Sequence, residues 1–140
     1  MWFFYALLSA MSAALVAIFG KLGLRAIDST LATTIRAIIM AVFLVAVSLA
    51  LKKFQGFTLG SLATRDWLLI AAAGIAGALS WLFYFAALKL GLASRVAAID
   101  RLSIVFVIFL AALFLGESLT WKSAIGALAI AGGAVLITIK

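Results

Sequence analysis

Long apolar stretches make up most of the chain, and short polar segments separate them. Five stretches stand out, at residues 2–20, 31–51, 67–88, 96–115 and 121–139. Each is close to the roughly 20 residues that an α-helix needs to cross the hydrocarbon core of a bilayer. Because backbone polar groups in lipid must be hydrogen-bonded within their own segment, the pattern predicts five transmembrane helices. We therefore expect an all-α membrane protein, a five-transmembrane-helix bundle that fills residues 1–140 as a single domain.

Composition supports a membrane protein over a soluble one. Hydrophobic residues form 69 % of the chain and charged residues 11 %, whereas soluble domains average about half and about a quarter. A soluble fold of this size leaves much of its surface in water and has no room to hide so much apolar area. The first apolar run lacks the basic start of a signal peptide and is long enough to span a bilayer, so we interpret it as a membrane helix.

The net charge of +7 reflects 11 basic and 4 acidic residues, and the basic residues are spread among the apolar runs. They form no basic patch interleaved with aromatic residues, which a nucleic-acid interface would need. Lysine and arginine at the edges of membrane helices explain this distribution better. We therefore expect the lipid bilayer, and not nucleic acid, as the partner of this charge.

Several kinds of chemistry are excluded by residues that the chain lacks. It has no cysteine and no histidine, which removes disulfides, Cys/His zinc sites and catalysis by Cys or His. No serine–histidine, paired-carboxylate or metal-ligand arrangement is available for an intramembrane enzyme. We therefore predict that the protein is not an enzyme and that it holds no cofactor and no metal.

Helix ends are marked by residues suited to capping. Small oxygen-bearing side chains, which bond the free amides of a helix start, precede four runs: Asp28, Ser29 and Thr30; Thr64 and Asp66; Ser94; and Ser118 or Thr120. Gly91 and Gly116 stand where the third and fourth runs end, as helix-terminating glycines do. In the last run, Ala129 and Gly133 form a small-xxx-small pair of the kind that lets helix backbones approach closely.

The positive charges give only a small bias for orientation. An odd number of spans puts the termini on opposite sides, with Lys52, Lys53, Arg65 and Lys122 on one side and Lys21, Arg25, Lys89, Arg95 and Lys140 on the other. Because an excess of Lys and Arg sets orientation, four against five leaves two interpretations open. Either the weak bias is sufficient for one orientation, or copies insert both ways and form an antiparallel homodimer.

Charged residues also occur inside the predicted spans. Asp100 and Arg101 lie early in the fourth run and Arg36 early in the second. Adjacent helix positions do not face each other, so Asp100 needs a partner from another helix, and Arg36 is the candidate at matching depth. A charge within a span costs about 2.5–3.5 kcal/mol on insertion scales and usually marks a substrate or ion pathway. The alternative is structural: Arg36 reaches towards the membrane surface, and Asp100 belongs to a pair that locks two helices.

Further polar and aromatic side chains accompany these charges. They are Ser80, Trp81 and Tyr84 in the third run, Ser103 in the fourth, Ser9 and Ser12 in the first, and Thr33 and Thr34 in the second. Ser80 and Tyr84 share one helix face, as do Asp100 and Ser103. Together with the ion pair they would suit an amphipathic small molecule in a central cavity, and Arg101 either faces that cavity or reaches the membrane surface. Each hydroxyl has a simpler explanation, a hydrogen bond to its own helix.

Several short motifs between residues 84 and 137 are distinctive. They are Ala87-Leu88-Lys89-Leu90-Gly91, Ala93-Ser94 and Phe114-Leu115-Gly116-Glu117, followed by a glycine-rich last helix, with Lys21 and Arg36 upstream. On these residues the chain resembles, over essentially its whole length, an EamA-type domain of the drug/metabolite transporter superfamily. Most relatives have ten spans in two inverted domains, so the resemblance implies half of a ten-helix inverted-repeat transporter. Relatives often have a proline early in span 4, after a serine, whereas here Ser103 is followed by Ile104.

The resemblance implies alternating-access transport of a small metabolite. We expect a transporter half in the inner (plasma) membrane that works as an antiparallel homodimer, because an unfused five-span unit could supply both inverted repeats. Asp100 is the one acid well inside a predicted span, which makes it the candidate for proton coupling. An alternative of another class is a non-transporting scaffold or accessory subunit of a larger membrane complex.

Overall fold

The computed structural model describes residues 1–139 apart from the side chain of Leu59, and Lys140 lies outside the described residues. The α-helices are α1 (Trp2–Gly23), α2 (Ser29–Ala50), α3 (Thr64–Leu90), α4 (Ala93–Asp100), α5 (Ser103–Phe114) and α6 (Trp121–Thr138), with a short 3-10 helix at Leu59–Ser61. Over this range the chain contains no β-strand. The predicted all-α fold is confirmed.

Five segments are long and apolar enough to cross a membrane. They are α1, α2, α3, α4 together with α5 (Ala93–Phe114), and α6. Large apolar side chains project outward from them; Phe43 on α2 and Phe106 on α5 are each 65 % exposed. Because so much apolar surface is stable only in lipid, the chain is a multi-pass membrane protein, as expected.

The fourth span is interrupted after eight residues. α4 ends at Asp100 and α5 begins at Ser103, with Arg101 and Leu102 between them. The Leu102 amide bonds the Ile99 carbonyl at 2.9 Å, a tight three-residue spacing. Asp and Ser are weak helix formers because their side chains compete for backbone groups, which suits them to this junction. The fourth span is therefore two α-helices joined by a tight turn in which Arg101 and Leu102 keep right-handed helical φ and ψ, without a proline and directly before Ser103.

The helix ends follow most of the capping predictions. Asp28 caps α2 by accepting hydrogen bonds from two backbone amides, and Thr120 caps α6 by accepting one. Gly116 follows α5 with a φ of +67°, a left-handed conformation that glycine adopts without strain. The expected cap at Ser94 is wrong: α4 starts one residue earlier, and Leu92 occupies the capping position without a side-chain hydrogen bond.

The described chain forms two compact units. The first, the α4–α6 unit, comprises Met1–Lys21 and the residues from Leu90 onward. Within it, α6 packs against both α4 and α5. Its buried side chains are all alanines, namely Ala17, Ala98, Ala111, Ala127 and Ala134. A methyl group is small enough for close helix approach. Ala129 is exposed, so the predicted pair with Gly133 does not pack within this unit.

The second, the α2–α3 unit, is Leu22–Lys89. Its buried residues are Leu24, Thr33, Phe85 and Leu88, and Leu88 is fully inaccessible. Phe85 and Leu88 lie on α3, three residues apart, so they share one helix face. That face therefore supplies most of the buried apolar volume of the unit. The single domain over the whole chain stays a prediction.

Candidate functional site

Arg36 lies within α2, and its guanidinium rests on the face of Trp81 from α3. Arg36 is the eighth residue of α2, about 10 Å along the axis from the helix start at 1.5 Å per residue. Its Cζ atom lies 3.7 Å from the centroid of the Trp81 ring. Cation–π attraction operates within about 6 Å. The structure thus brings together two of the predicted site residues inside the α2–α3 unit.

Two further residues of this site were not predicted. The Phe85 ring centroid lies 5.0 Å from the Arg36 Cζ atom, and the Met40 Sδ atom lies 3.1 Å from Arg36 Nη1. Met40 is four residues after Arg36, and Phe85 is four residues after Trp81. Side chains four apart meet on a helix surface, so this spacing was the available signal. We define the Arg36 site as Arg36, Met40, Trp81 and Phe85.

The hydrogen bonding of Arg36 is sparse for a side chain with five N–H donors. Within residues 1–139, its side-chain hydrogen bond is the one from Nη1 to the Met40 sulfur, which is a weak acceptor. The Nε atom is buried and has no acceptor there, an arrangement that costs about 1–3 kcal/mol. The aromatic contacts therefore hold the guanidinium carbon over the Trp81 ring, while its Nη end lacks a strong acceptor.

The other two predicted residues of α3 differ from each other. Tyr84 is half-buried, and its ring meets Trp81 edge to face, with centroids 5.6 Å apart and planes at 82°. It extends the aromatic surface that carries Arg36. Ser80 is exposed and makes no side-chain hydrogen bond to the described part of the chain. The predicted face of Ser80 and Tyr84 is thus mainly an aromatic surface around Trp81.

The remaining predicted site residues lie in the α4–α6 unit. Asp100 is the last residue of α4 and half-buried, Arg101 is exposed between the helices, and Ser103 is the exposed first residue of α5. A carboxylate at a helix C-terminus meets the negative end of the helix dipole, so Asp100 is not placed there as a cap. Arg36 belongs to the other unit, and its pairing with Asp100 stays a prediction.

Comparison with known proteins establishes the family. The sequence profile of the EamA-like transporter family matches residues 1–139. The chain belongs to the EamA-like transporter family. A relative from a Sinorhizobium species, named an uncharacterized transporter in the cobO 3′ region, is 44 % identical over 138 residues, which cover 99 % of this chain and 96 % of the relative. No solved structure matches the chain.

Several hydroxyls in the spans of this EamA-family protein bond to their own helix. Ser12 donates to the Leu8 carbonyl at 2.9 Å, and Thr33 donates to the Ser29 carbonyl at 2.8 Å. Thr34 makes the same kind of bond at 2.9 Å. These bonds satisfy the hydroxyls without a ligand. The simpler explanation therefore holds for these three residues.

Two lysines of the EamA-like pattern donate hydrogen bonds to backbone carbonyls in the linkers between spans. In the α4–α6 unit, Lys21 Nζ donates to the Gly91 carbonyl at 2.7 Å. In the α2–α3 unit, Lys89 Nζ donates to the Ile27 carbonyl at 2.6 Å. Hydrogen bonds from a charged donor are roughly twice as strong as neutral ones. The two lysines are thus specific linker contacts as well as charges at the membrane edge.

Asp28 sits before the second span, at the positive end of α2. Its Oδ1 atom accepts hydrogen bonds from the backbone amides of Leu31 at 3.2 Å and Thr30 at 2.8 Å. These bonds stabilise the charged carboxylate and hold the pKa of Asp28 below its ordinary value. Ionisation of Asp28 therefore strengthens the cap of the helix that carries Arg36.

Proposed function

We propose that this EamA-family protein moves a small molecule across the inner membrane by alternating access, without enzymatic chemistry. Membership of the family and the transporter relative support a membrane transporter. The observation that carries the proposal is the Arg36 guanidinium, held in a membrane span on the Trp81 ring at 3.7 Å. Charged residues inside spans usually mark substrate or ion pathways, and here aromatic contacts hold the charge in place.

We further propose that the working form is an antiparallel homodimer. Five spans place the termini on opposite sides, and the basic residues divide four against five between those sides. So small a bias suits insertion in both orientations. Two inverted copies would reproduce the inverted repeats between which many transporters bind substrate. Arg36, Trp81, Tyr84, Ser80, Asp100, Arg101 and Ser103 are the proposed lining residues of the cavity.

Cysteine labelling tests the orientation directly. The natural chain has no cysteine, so Thr58→Cys, in the exposed linker before α3, is a clean probe. Leu92→Cys, 59 % exposed before α4, is its matched counterpart at the other membrane face. Intact cells are treated with an impermeant maleimide and then permeabilised for a second label. In dual topology, each variant is labelled in part from outside.

A one-sided result would overturn the antiparallel homodimer. In a single orientation, one of the two variants would react almost completely from outside and the other would not react. If such a protein also co-purified with a fixed partner and gave no flux alone, an accessory subunit would replace the transporter. Partial and complementary labelling of both variants, with flux from the purified chain, supports the proposal.

Asp100 is the proposed proton-coupling residue, because it is a half-buried carboxylate at a break inside a span. Proteoliposomes containing a pH-sensitive dye are exposed to the low-molecular-weight fraction of a cell lysate. We expect solute-dependent proton movement with the wild type and none with Asp100→Asn. Asp66→Asn, at the start of α3, is the matched control and should retain it. Proton movement that survives in Asp100→Asn would remove this role.

A further inference from the structure

We infer that the Arg36 site binds a small monocarboxylate with an apolar body, whose carboxylate lies end-on against the two Nη atoms. The inference rests on the proposed transport function and names the substrate class of that same site. It follows from the charges available around Arg36, from the donors that remain on its guanidinium, and from the side chains that surround it.

The acids of the α2–α3 unit are already used elsewhere. The unit contains two, Asp28 and Asp66. Asp28 Oδ1 accepts from the Thr30 amide at 2.8 Å, and Asp66 Oδ2 accepts from the Ala63 amide at 3.2 Å. Both carboxylates therefore stabilise helix starts. Arg36, about 10 Å along α2, has no carboxylate of its own unit beside it, and a cation in a span attracts an anion strongly.

The donors of Arg36 select the shape of that anion. The guanidinium carbon lies over the Trp81 ring at 3.7 Å, and Nε is buried. Nη1 has a second N–H beyond the one directed at the Met40 sulfur, and Nη2 has two. A fork of two nitrogens matches the two oxygens of a carboxylate, which gives a bidentate, charge-assisted pair. The end-on fork is thus the part of the side chain available to a ligand.

The neighbours of Arg36 select the rest of the ligand. Trp81, Phe85 and Met40 present two aromatic rings and a thioether. These groups favour an apolar body and offer little to a strongly hydrated ion. Phosphate carries more charge than one arginine balances, so its dehydration is less well compensated. A singly charged carboxylate with a flat or short apolar body fits both features.

Fluorescence of Trp81 tests the inference. Trp2, Trp67 and Trp121 each open a helix or lie in its first turns and are 79 %, 43 % and 73 % exposed, so all three can be changed to phenylalanine. Trp81 then reports on its own contact with Arg36. We expect benzoate to change its emission saturably in the purified full chain, whereas benzamide, the neutral isostere, should not. Inorganic phosphate should bind at least about tenfold more weakly than benzoate.

Substitution of the arginine should grade the effect. Arg36→Lys keeps the charge but loses the fork, so we expect benzoate binding about tenfold weaker. Arg36→Gln should abolish saturable binding. Arg25→Gln, an exposed arginine of the linker before α2, is the matched control and should bind as the parent does. Size-exclusion profiles show whether each variant folds, and the benzoate–benzamide comparison does not depend on any change to Arg36.

Four results would overturn the inference. The first three are equal responses to benzoate and benzamide, unchanged binding in Arg36→Gln, and phosphate binding as tight as that of benzoate. A fourth is benzoate binding that occurs in maltoside micelles but disappears in phosphatidylcholine nanodiscs, because lipid phosphate would then be the anion on Arg36. Binding that persists in nanodiscs supports the inference.

Failure of the inference and failure of the transport proposal look different. Arg36-dependent benzoate binding with no flux of benzoate or of lysate solutes in proteoliposomes keeps the ligand class and removes transport. Solute-dependent flux that is unaffected in Arg36→Gln keeps transport and removes the ligand class. Benzoate flux that is lost in Arg36→Gln and retained in Arg25→Gln supports both.

Discussion

The contact between Arg36 and Trp81 should contribute measurably to the stability of the fold. The Cζ atom is 3.7 Å from the ring centroid, and both side chains are half-buried. Cation–π pairs contribute about 0.5–1 kcal/mol when exposed and about 2 kcal/mol when desolvated. We therefore expect a coupling free energy of about 1–2 kcal/mol, which changes the ratio of folded to unfolded protein about 5- to 30-fold.

A double-mutant cycle isolates this energy. Arg36→Gln, Trp81→Leu and the double variant are unfolded by titration with sodium dodecyl sulfate in mixed micelles, and helix content is followed by circular dichroism. The contacts of Trp81 with Tyr84 and Phe85, at centroid distances of 5.6 and 5.9 Å, are lost in both backgrounds and cancel. Trp81→Leu changes the free energy of unfolding by one amount in the natural chain and by another in Arg36→Gln. The difference between these two amounts is the coupling free energy of the pair. Phe85→Leu, with its ring 5.0 Å from Arg36, should show a smaller coupling.

The same helix provides the control residue. Trp67 lies in the first turn of α3 and is 43 % exposed. A cycle between Arg36 and Trp67→Leu should give a coupling near zero, since distant sites add within about 0.3–0.5 kcal/mol. The reasoning fails if the Trp81 cycle also falls within that limit, or if both tryptophans give the same coupling.

Three further predictions concern the helix ends. The folded-state pKa of Asp28 is below its ordinary value. The ionised carboxylate of Asp28 therefore contributes to stability above a pH of about 4, and this contribution is lost as the pH falls further. Asp28→Asn keeps the cap and should remove this acid dependence in unfolding titrations. Gly116→Ala should lower the free energy of unfolding by about 1–2 kcal/mol because φ is +67°, whereas Gly126→Ala, in α6 with open space around it, should be neutral or stabilising. Lys21→Met loses a charged hydrogen bond of 2.7 Å to a carbonyl and should lower the free energy of unfolding by about 1.5–3 kcal/mol; an unchanged value would contradict the linker contact.

The break in the fourth span shows where sequence patterns lose information. The run 96–115 is uniformly apolar apart from its early polar residues, and it predicts one helix. The structure ends α4 at Asp100 and starts α5 at Ser103. Asp100 and Ser103 have low helix propensity, but propensity is a weak effect that packing routinely overrides. Because α4 and α5 both pack against α6, the position of the break depends on contacts that sequence spacing does not contain.

The candidate site was predicted in part. Charge inside an apolar span identified Arg36, and the polar and aromatic content of α3 identified Trp81 and Tyr84. The spacing of four residues that places Met40 and Phe85 beside them was present in the sequence, but many other apolar residues have the same spacing. Only the approach of α2 to α3 distinguishes them. The partner of Asp100 stays a prediction for the same reason.

The sequence by itself determined the five membrane spans and the ionic residues within them, because entry into lipid depends on the length and polarity of each segment alone. The tertiary structure decided which surfaces meet. A helix that is apolar on every side has no polar face to mark its outside, so its pattern does not reveal which residues pack. That is why Ala127 and Ala134 are buried while Ala129 is exposed, and why the Arg36 guanidinium rests on Trp81, a contact that residue spacing within one helix does not define.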